Sequence, residues 1–275
     1  MKVKFFDKAL INTFYKVLSV ISVLTSIFFL FIDLPQGSKF YIGIICIIAL
    51  VLIYCGLWIR ANRTSSIIIT INTSKLEICE GDIFIESGFK VIAFNEYFDT
   101  LVDEVLISKN TLNGKYLIDK YPEPCQLDDR IESDEHLKLC VIETGVIRRG
   151  KAARYKLGSI YKDGEFFLLA FSRFDTENRA YLEIDDYVNC MMNFWNECDI
   201  HYAGNSVVLP LLGAGLTRFH GYENMTEQEI LETIIWTFKT SRIRFQYPAK
   251  AKIILTKNAL SKIDLYKIKK QYEFQ

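Results

Sequence analysis

The residues best suited to chemistry lie in one stretch, Val207-Val208-Leu209-Pro210-Leu211-Leu212-Gly213-Ala214-Gly215-Leu216-Thr217-Arg218. An apolar run that reads as a buried strand enters a Gly-x-Gly turn. Polar residues follow, and then a helix. Glycines let backbone N–H groups close around an anion, and a helix N-terminus favours phosphate. The same pattern also serves as an ordinary strand-to-helix turn, and neither the Walker spacing nor G-x-G-x-x-G is present. A second group is Gly81-Asp82-Ile83-Phe84, followed by the buried-strand run KVIAFN (Lys90 to Asn95) and by Glu96, Tyr97, Phe98 and Asp99. Asp82 and Asn95 can hydrogen-bond a base or ribose, and Tyr97 and Phe98 can stack on one. The alternatives are a turn-forming Asp82 and aromatics packed in the core. A third group is the basic loop Arg148, Arg149, Lys151 and Arg154. It reads as a solvated hairpin tip or as a contact for ligand phosphate or lipid headgroups.

Other chemistries are disfavoured. The chain has 33 basic and 33 acidic residues, without the basic surplus of a nucleic-acid binder. Its seven cysteines form no C-x-x-C pair, and they read as reduced, packed thiols in a cytosolic domain. His136, His201 and His220 are far apart in sequence, so no metal site is expected. No nucleophile–base pair stands out, and no catalytic residue is assigned.

These groups need a scaffold, and the first sixty residues are not part of it. Val17 to Ile32 and Phe40 to Ile59 carry no charge. About twenty apolar residues span a bilayer as a helix, so residues 1–60 are expected to form a transmembrane hairpin. Its helices should cover about 14–32 and 40–59, joined by Asp33-Leu34-Pro35-Gln36-Gly37-Ser38-Lys39. The alternative of a cleaved signal peptide lacks a small-x-small site. Lys2, Lys4, Lys8 and Lys16 precede the first run, and Arg60 and Arg63 follow the second. Positive flanks stay inside, which places both termini in the cytoplasm.

Residues 61–66 read as a linker and 67–275 as one α/β domain. Strands are expected at Ile67–Ile71, Lys75–Cys79, Lys90–Asn95, Leu137–Thr144, Tyr155–Tyr161, Glu165–Phe171, Ser206–Leu212 and Lys252–Thr256. Lys162-Asp163-Gly164 marks a hairpin, and Asn113-Gly114 marks a loop. Asp99 to Leu106 suits a helical turn. Helices are expected at Ala180–Cys198, at Met225–Thr240 with a Thr226/Glu229 capping box, and at Ser261–Tyr272. Alternation interrupted by a hairpin implies a mixed central sheet flanked by helices.

Together the segments GDIF, KVIAFN and VVLPLLGAGLTRF resemble the macrodomain family, in the same order and over roughly Ile67 to the C-terminus. That resemblance implies binding of ADP-ribose or a derivative. Asp82 would accept from the adenine amino group, Ile83 would line the base pocket and Asn95 would approach the distal ribose. Glu96, Tyr97 and Phe98 would follow in the same ligand-binding segment. Gly213, Ala214, Gly215, Leu216 and Thr217 would wrap the diphosphate, with Arg218 and Phe219 at its edge. Hydrolytic macrodomains follow this strand with Ala-Ala-Asn and a glycine run, where this chain has Glu-Tyr-Phe-Asp-Thr. Its nearest counterpart for that loop is Leu112-Asn113-Gly114-Lys115. Recognition is therefore expected over the alternative, a membrane-tethered ADP-ribosyl hydrolase.

A two-helix hairpin joined to such a domain resembles the membrane effectors of bacterial Thoeris anti-phage defence. The resemblance implies a multi-pass protein of the bacterial inner membrane with a cytoplasmic macrodomain. It implies a partner TIR-domain enzyme that makes an ADP-ribose-derived signal, amino-acid-conjugated or cyclic forms included. It also implies assembly into homo-oligomers in the lipid bilayer, followed by membrane disruption and cell death, with no nucleic acid and no cofactor involved.

Overall fold

The computed structural model describes every residue except Met1, Asp33, Leu34, Gln36, Thr176, Phe274 and Gln275. Three residues of the expected interhelical loop and both chain ends thus lie outside the described residues. Contacts group the chain into two units, residues 1–67 with 260–275, and residues 68–259.

In the first unit, α1 (Lys8–Phe29) and α2 (Lys39–Asn62) are long and apolar enough to cross a membrane. The first helix starts earlier than its charge-free stretch because Asp7 caps it, accepting from the amides of Ala9 at 2.8 Å and Leu10 at 3.2 Å. The second runs through Ala61 and Asn62 and the first strand begins at Ser66, so only residues 63–65 of the expected linker lie between elements. Val3, Leu10 and Ala61 are buried together beside Trp58 and Tyr266. Tyr266 also hydrogen-bonds Thr13 at 2.7 Å, which is why residues 260–275 group with the N-terminal segment.

The second unit is built on a mixed sheet. In chain order its strands are β1 (Ser66–Ile71), β2 (Ser74–Glu80), β3 (Phe89–Asn95), the pair β4 (Val141–Glu143) and β5 (Arg154–Tyr155), β6 (Ile160–Asp163), β7 (Phe166–Phe174), β8 (Ala180–Glu183), β9 (Val207–Pro210), β10 (Arg218–His220) and β11 (Ala251–Leu255). The main sheet runs β1-β2-β11-β9-β3-β7-β8-β10, with β6 also on β7. Neighbours from β2 to β7 are parallel, whereas β6 and β8 run antiparallel to β7. The helices of this unit are α3 (Leu112–Lys120), α4 (Cys125–Ser133), α5 (Glu135–Lys138), α6 (Ile184–His201) and α7 (Glu227–Thr240); α8 (Lys257–Lys262) spans the division between the units, and α9 (Leu265–Tyr272) belongs to the first.

Alternation along β7 explains the layering. Phe166, Leu168 and Ala170 join Ile92 and Phe94 of β3 in a core with Tyr116 and Leu117 of α3. Phe171, on the other face, meets Tyr187 of α6 at 6.0 Å between rings. Successive strand residues point to opposite faces, and a strand covered on both reads as one apolar run. α6 and α7 lock through Trp195, whose indole donates to Thr237 at 3.2 Å and whose ring lies 4.9 Å from Phe238.

Several local expectations are corrected. Asn113-Gly114 lies inside α3, not in a loop. Thr111 caps that helix, and a Cβ on Gly114 would lie 2.2 Å from the carbonyl oxygen of Ser108, so this glycine serves packing. Leu137–Thr144 is split between α5 and the short β4, and Asp99–Leu106 is not helical. Residues 180–183 form β8 before α6 begins, and Asp264 interrupts the terminal helix by capping α9. The Asp163-Gly164 hairpin and the Thr226/Glu229 capping box form as expected.

Candidate functional site

Ligands of open α/β sheets bind beyond the carboxyl ends of the parallel strands, where neighbours part. Here β3 pairs with β9 only at Phe89–Val207 and Lys90–Val208, while its pairing with β7 continues to Asn95. The ends of β3 and β9 therefore diverge. Near them Ile83 is buried against Val208 and Ile254, with Leu112 of α3 packed on the same cluster. Ile83 is thus held by apolar packing. Asp82 is exposed and caps the 3-10 turn Ile83–Ile85 by accepting from the Phe84 amide at 3.0 Å.

The loop after β9 is open. Tyr187 holds its base by donating to the Leu212 carbonyl at 2.9 Å. Gly213 has φ +99°, a left-handed conformation that favours glycine, and a Cβ there would lie 2.9 Å from the Phe219 ring. At Gly215 a Cβ would meet nothing within 4 Å. The amides of Gly213, Gly215, Leu216 and Thr217 make no hydrogen bond among the described residues. Gly213, Ala214, Gly215, Thr217, Arg218 and Phe219 line a cavity of about 480 Å³ beside the N-terminal turn of α7. Leu216 points away and is exposed.

His220, Glu223, Met225, Glu227 and Ile230 line the same cavity and were not singled out from sequence. The signal for them was the capping box, which fixes where α7 starts and therefore which residues face the glycine loop. Arg218 and His220 share the lining with two carboxylates, so an anion placed here would meet amides and a helix end more than a net positive charge. Phe219 is buried in β10, edge-on to Tyr187 at 5.1 Å, and anchors the loop.

The loop after β3 is closed. A register shift lies between Phe94 and Asn95. The Asn95 side chain accepts from the amides of Tyr97 at 3.0 Å and Asp99 at 3.3 Å, and donates to Asp99 at 2.9 Å. Asp99 is itself buried and paired with Arg148 at 2.9 Å, and it accepts from the Lys151 amide at 2.8 Å. The Arg148 guanidinium lies over the Tyr97 ring, 4.0 Å from its centre. Phe98, at φ +50°, is fully buried against Tyr155 at 5.2 Å. Glu96 is buried and 3.4 Å from Arg173; burial raises its pKa while Arg173 opposes the shift.

The basic loop keeps an exposed tip, with Ile147 and Arg149 open to solvent, but its cations are engaged within the protein. Arg148 pairs with Asp99, Arg149 with Asp103 at 2.5 Å, Lys151 with Asp128 and Arg154 with Glu143 at 2.9 Å. The histidines also differ from their sequence spacing: the His136 and His201 rings lie 4.9 Å apart, with Glu197 between them.

The family model described as Thoeris protein ThsA, Macro domain, matches residues 76–256. The Thoeris protein ThsA of Bacillus amyloliquefaciens (strain Y2) is 41% identical over 269 residues, covering 96% of this chain and 90% of that protein. Among solved structures, a variant of the Oceanobacillus iheyensis macrodomain with ADPR aligns at a TM-score of 0.49 and 16% identity, over 76% of this chain and 99% of that one. The macrodomain of the same organism with ADP aligns at 0.47 and 15%, over 76% and 97%.

Proposed function

The chain belongs to the ThsA macrodomain family of Thoeris anti-phage defence proteins, and from that premise we propose that it is a membrane effector that senses an ADP-ribose-derived signal without turning it over. The observation that carries the reading is the Gly213–Arg218 loop, whose unpaired amides open on a cavity beside the α7 N-terminus. Amides and a helix end suit a diphosphate. Glu223 suits a hydroxyl or amino donor elsewhere on the ligand. The absence of turnover is supported at the other loop. The Asn95 amide and the Glu96 carboxylate, the polar groups nearest to where a hydrolytic loop would act, are engaged within the protein.

In this proposal a TIR-domain enzyme supplies the signal by consuming NAD. Residues 1–60 form a hairpin in the bacterial inner membrane, with both termini and the macrodomain cytoplasmic by their basic flanks. Ligand binding drives homo-oligomer assembly, and the assembled hairpins disrupt the membrane and kill the cell. A ligand shifts such an equilibrium only by its differential affinity for the assembled state.

The test is calorimetry of full-length protein in detergent with ADP-ribose and its amino-acid-conjugated and cyclic forms, followed by light scattering. Saturable binding of one of them together with particle growth is expected. No heat from any of the three would overturn the ligand assignment. Binding with unchanged particle size would overturn the assembly step.

A further inference from the structure

At the opposite end of the sheet, three donors from distant parts of the chain converge. The Nε2 of His136, on α5, lies 2.6 Å from Glu197 Oε2, on α6. The Nε2 of His201, one helical turn further along α6, lies 3.7 Å from the same oxygen. All three donor atoms fall within 4.8 Å of one another. His201 lies beside Phe167, at the start of β7, whereas the candidate ligand site lies beyond the strand ends at Asn95 and Pro210. The two sites are therefore separate.

The hydrogen bonding within the cluster is incomplete. His136 and Glu197 satisfy each other, but the Nε2 of His201 is buried with no hydrogen-bond partner among the described residues. Leaving a buried nitrogen without a partner is unfavourable. A cation at the centre of the three atoms would satisfy all of them at once. Ligands of a tetrahedral ion at about 2.1 Å stand roughly 3.4 Å apart, between the two separations seen here. Two imidazoles and one carboxylate disfavour magnesium or calcium, which take oxygen ligands, and suit zinc. All three side chains are half-buried, so an ion has a path from solvent.

We propose that His136, Glu197 and His201 bind one divalent transition-metal ion, zinc by donor chemistry, which clamps α5 to the last turn of α6. Water would complete the coordination. The role is structural, because α5 is a four-residue helix in a segment of short elements and α6 is part of the core.

The test uses full-length protein in detergent, stripped with a chelator and titrated with zinc against a chromophoric competitor. One zinc per chain is expected, with affinity at least tenfold weaker in His136→Ala and in His201→Ala. Zinc should raise the unfolding temperature of the parent but not of either variant. Glu197→Gln keeps the size and hydrogen-bonding capacity of the side chain and removes its charge. It should therefore lose metal while its circular dichroism stays that of the parent, which guards against variants that fail to fold. Cobalt(II) should give d–d bands without thiolate charge transfer. Failure to bind zinc, unchanged affinity in both histidine variants, or a thiolate band placing the metal on cysteine would each overturn the proposal.

Discussion

The loops leaving β3 and β9 start from neighbouring parallel strands and end in opposite conditions. After β3, Asn95, Glu96 and Asp99 are buried and paired within the protein, and Phe98 is buried with them. After β9, a glycine-rich turn lines a cavity, and the amides of Gly213, Gly215, Leu216 and Thr217 make no hydrogen bond among the described residues. Both stretches read as ligand contacts from residue type alone. A buried polar group must find a partner, and in the first loop that partner is the protein itself. The first loop is thus engaged within the protein, and in the proposed function the second is the part that meets the ligand.

Breaking that engagement should have the largest effect. Asp99→Ala leaves the Arg148 guanidinium buried without its carboxylate and should cost about 3–5 kcal/mol of stability, read by denaturant unfolding. A loss under about 1 kcal/mol would mean that the pair is solvated and the two loops are less different than described.

Gly215→Val acts on the other side of the comparison. A Cβ there enters open space, so the fold should tolerate it, while phosphate approach is blocked. Binding of the ligand found by calorimetry should fall at least a hundredfold, about 2.7 kcal/mol, with the unfolding midpoint unchanged. Parent-like affinity would remove the β9 loop from the site. Gly213 is the contrasting position: alanine there strains a positive φ and presses on Phe219, so it should lower stability first.

Asp82→Ala should weaken binding by about 1.5–2 kcal/mol if the carboxylate accepts from the ligand. The same change removes the cap on the 3-10 turn, so calorimetry must be paired with an unfolding curve. Lost stability with intact affinity would assign Asp82 to the turn alone.

The smallest effect bears on the same engaged loop. Burial raises the Glu96 pKa against the opposing pull of Arg173. A carboxyl whose folded pKa is raised contributes stability that is full below its unfolded pKa and is lost as pH rises through the folded one. Arg173 keeps Asp186 through two hydrogen bonds at 2.6 and 3.0 Å, so Glu96→Gln does not orphan it. The variant should therefore gain on the parent as pH rises from acid to neutral, read from unfolding midpoints across pH. A gain that shrinks over that range would mean that the charged form of Glu96 is the favoured one.

Local rules made several elements legible without a structure. Uncharged runs mark α1 and α2, an Asp-Gly step marks the β6–β7 hairpin, and Thr226 with Glu229 marks the start of α7. Each of these signals acts within a few residues of chain or one helix length. The β9 loop was also legible, because its glycines are conspicuous in a linear reading and its strand and helix are adjacent in sequence. The closure of the β3 loop was not, since it depends on Arg148, some fifty residues downstream, reaching Asp99 and Tyr97. The meeting of His136 with Glu197 and His201 likewise depends on α5 folding back onto α6. Whether a side chain is free or spent is a matter of which distant group the packed chain brings within 3 Å, and spacing along the sequence carries no record of that.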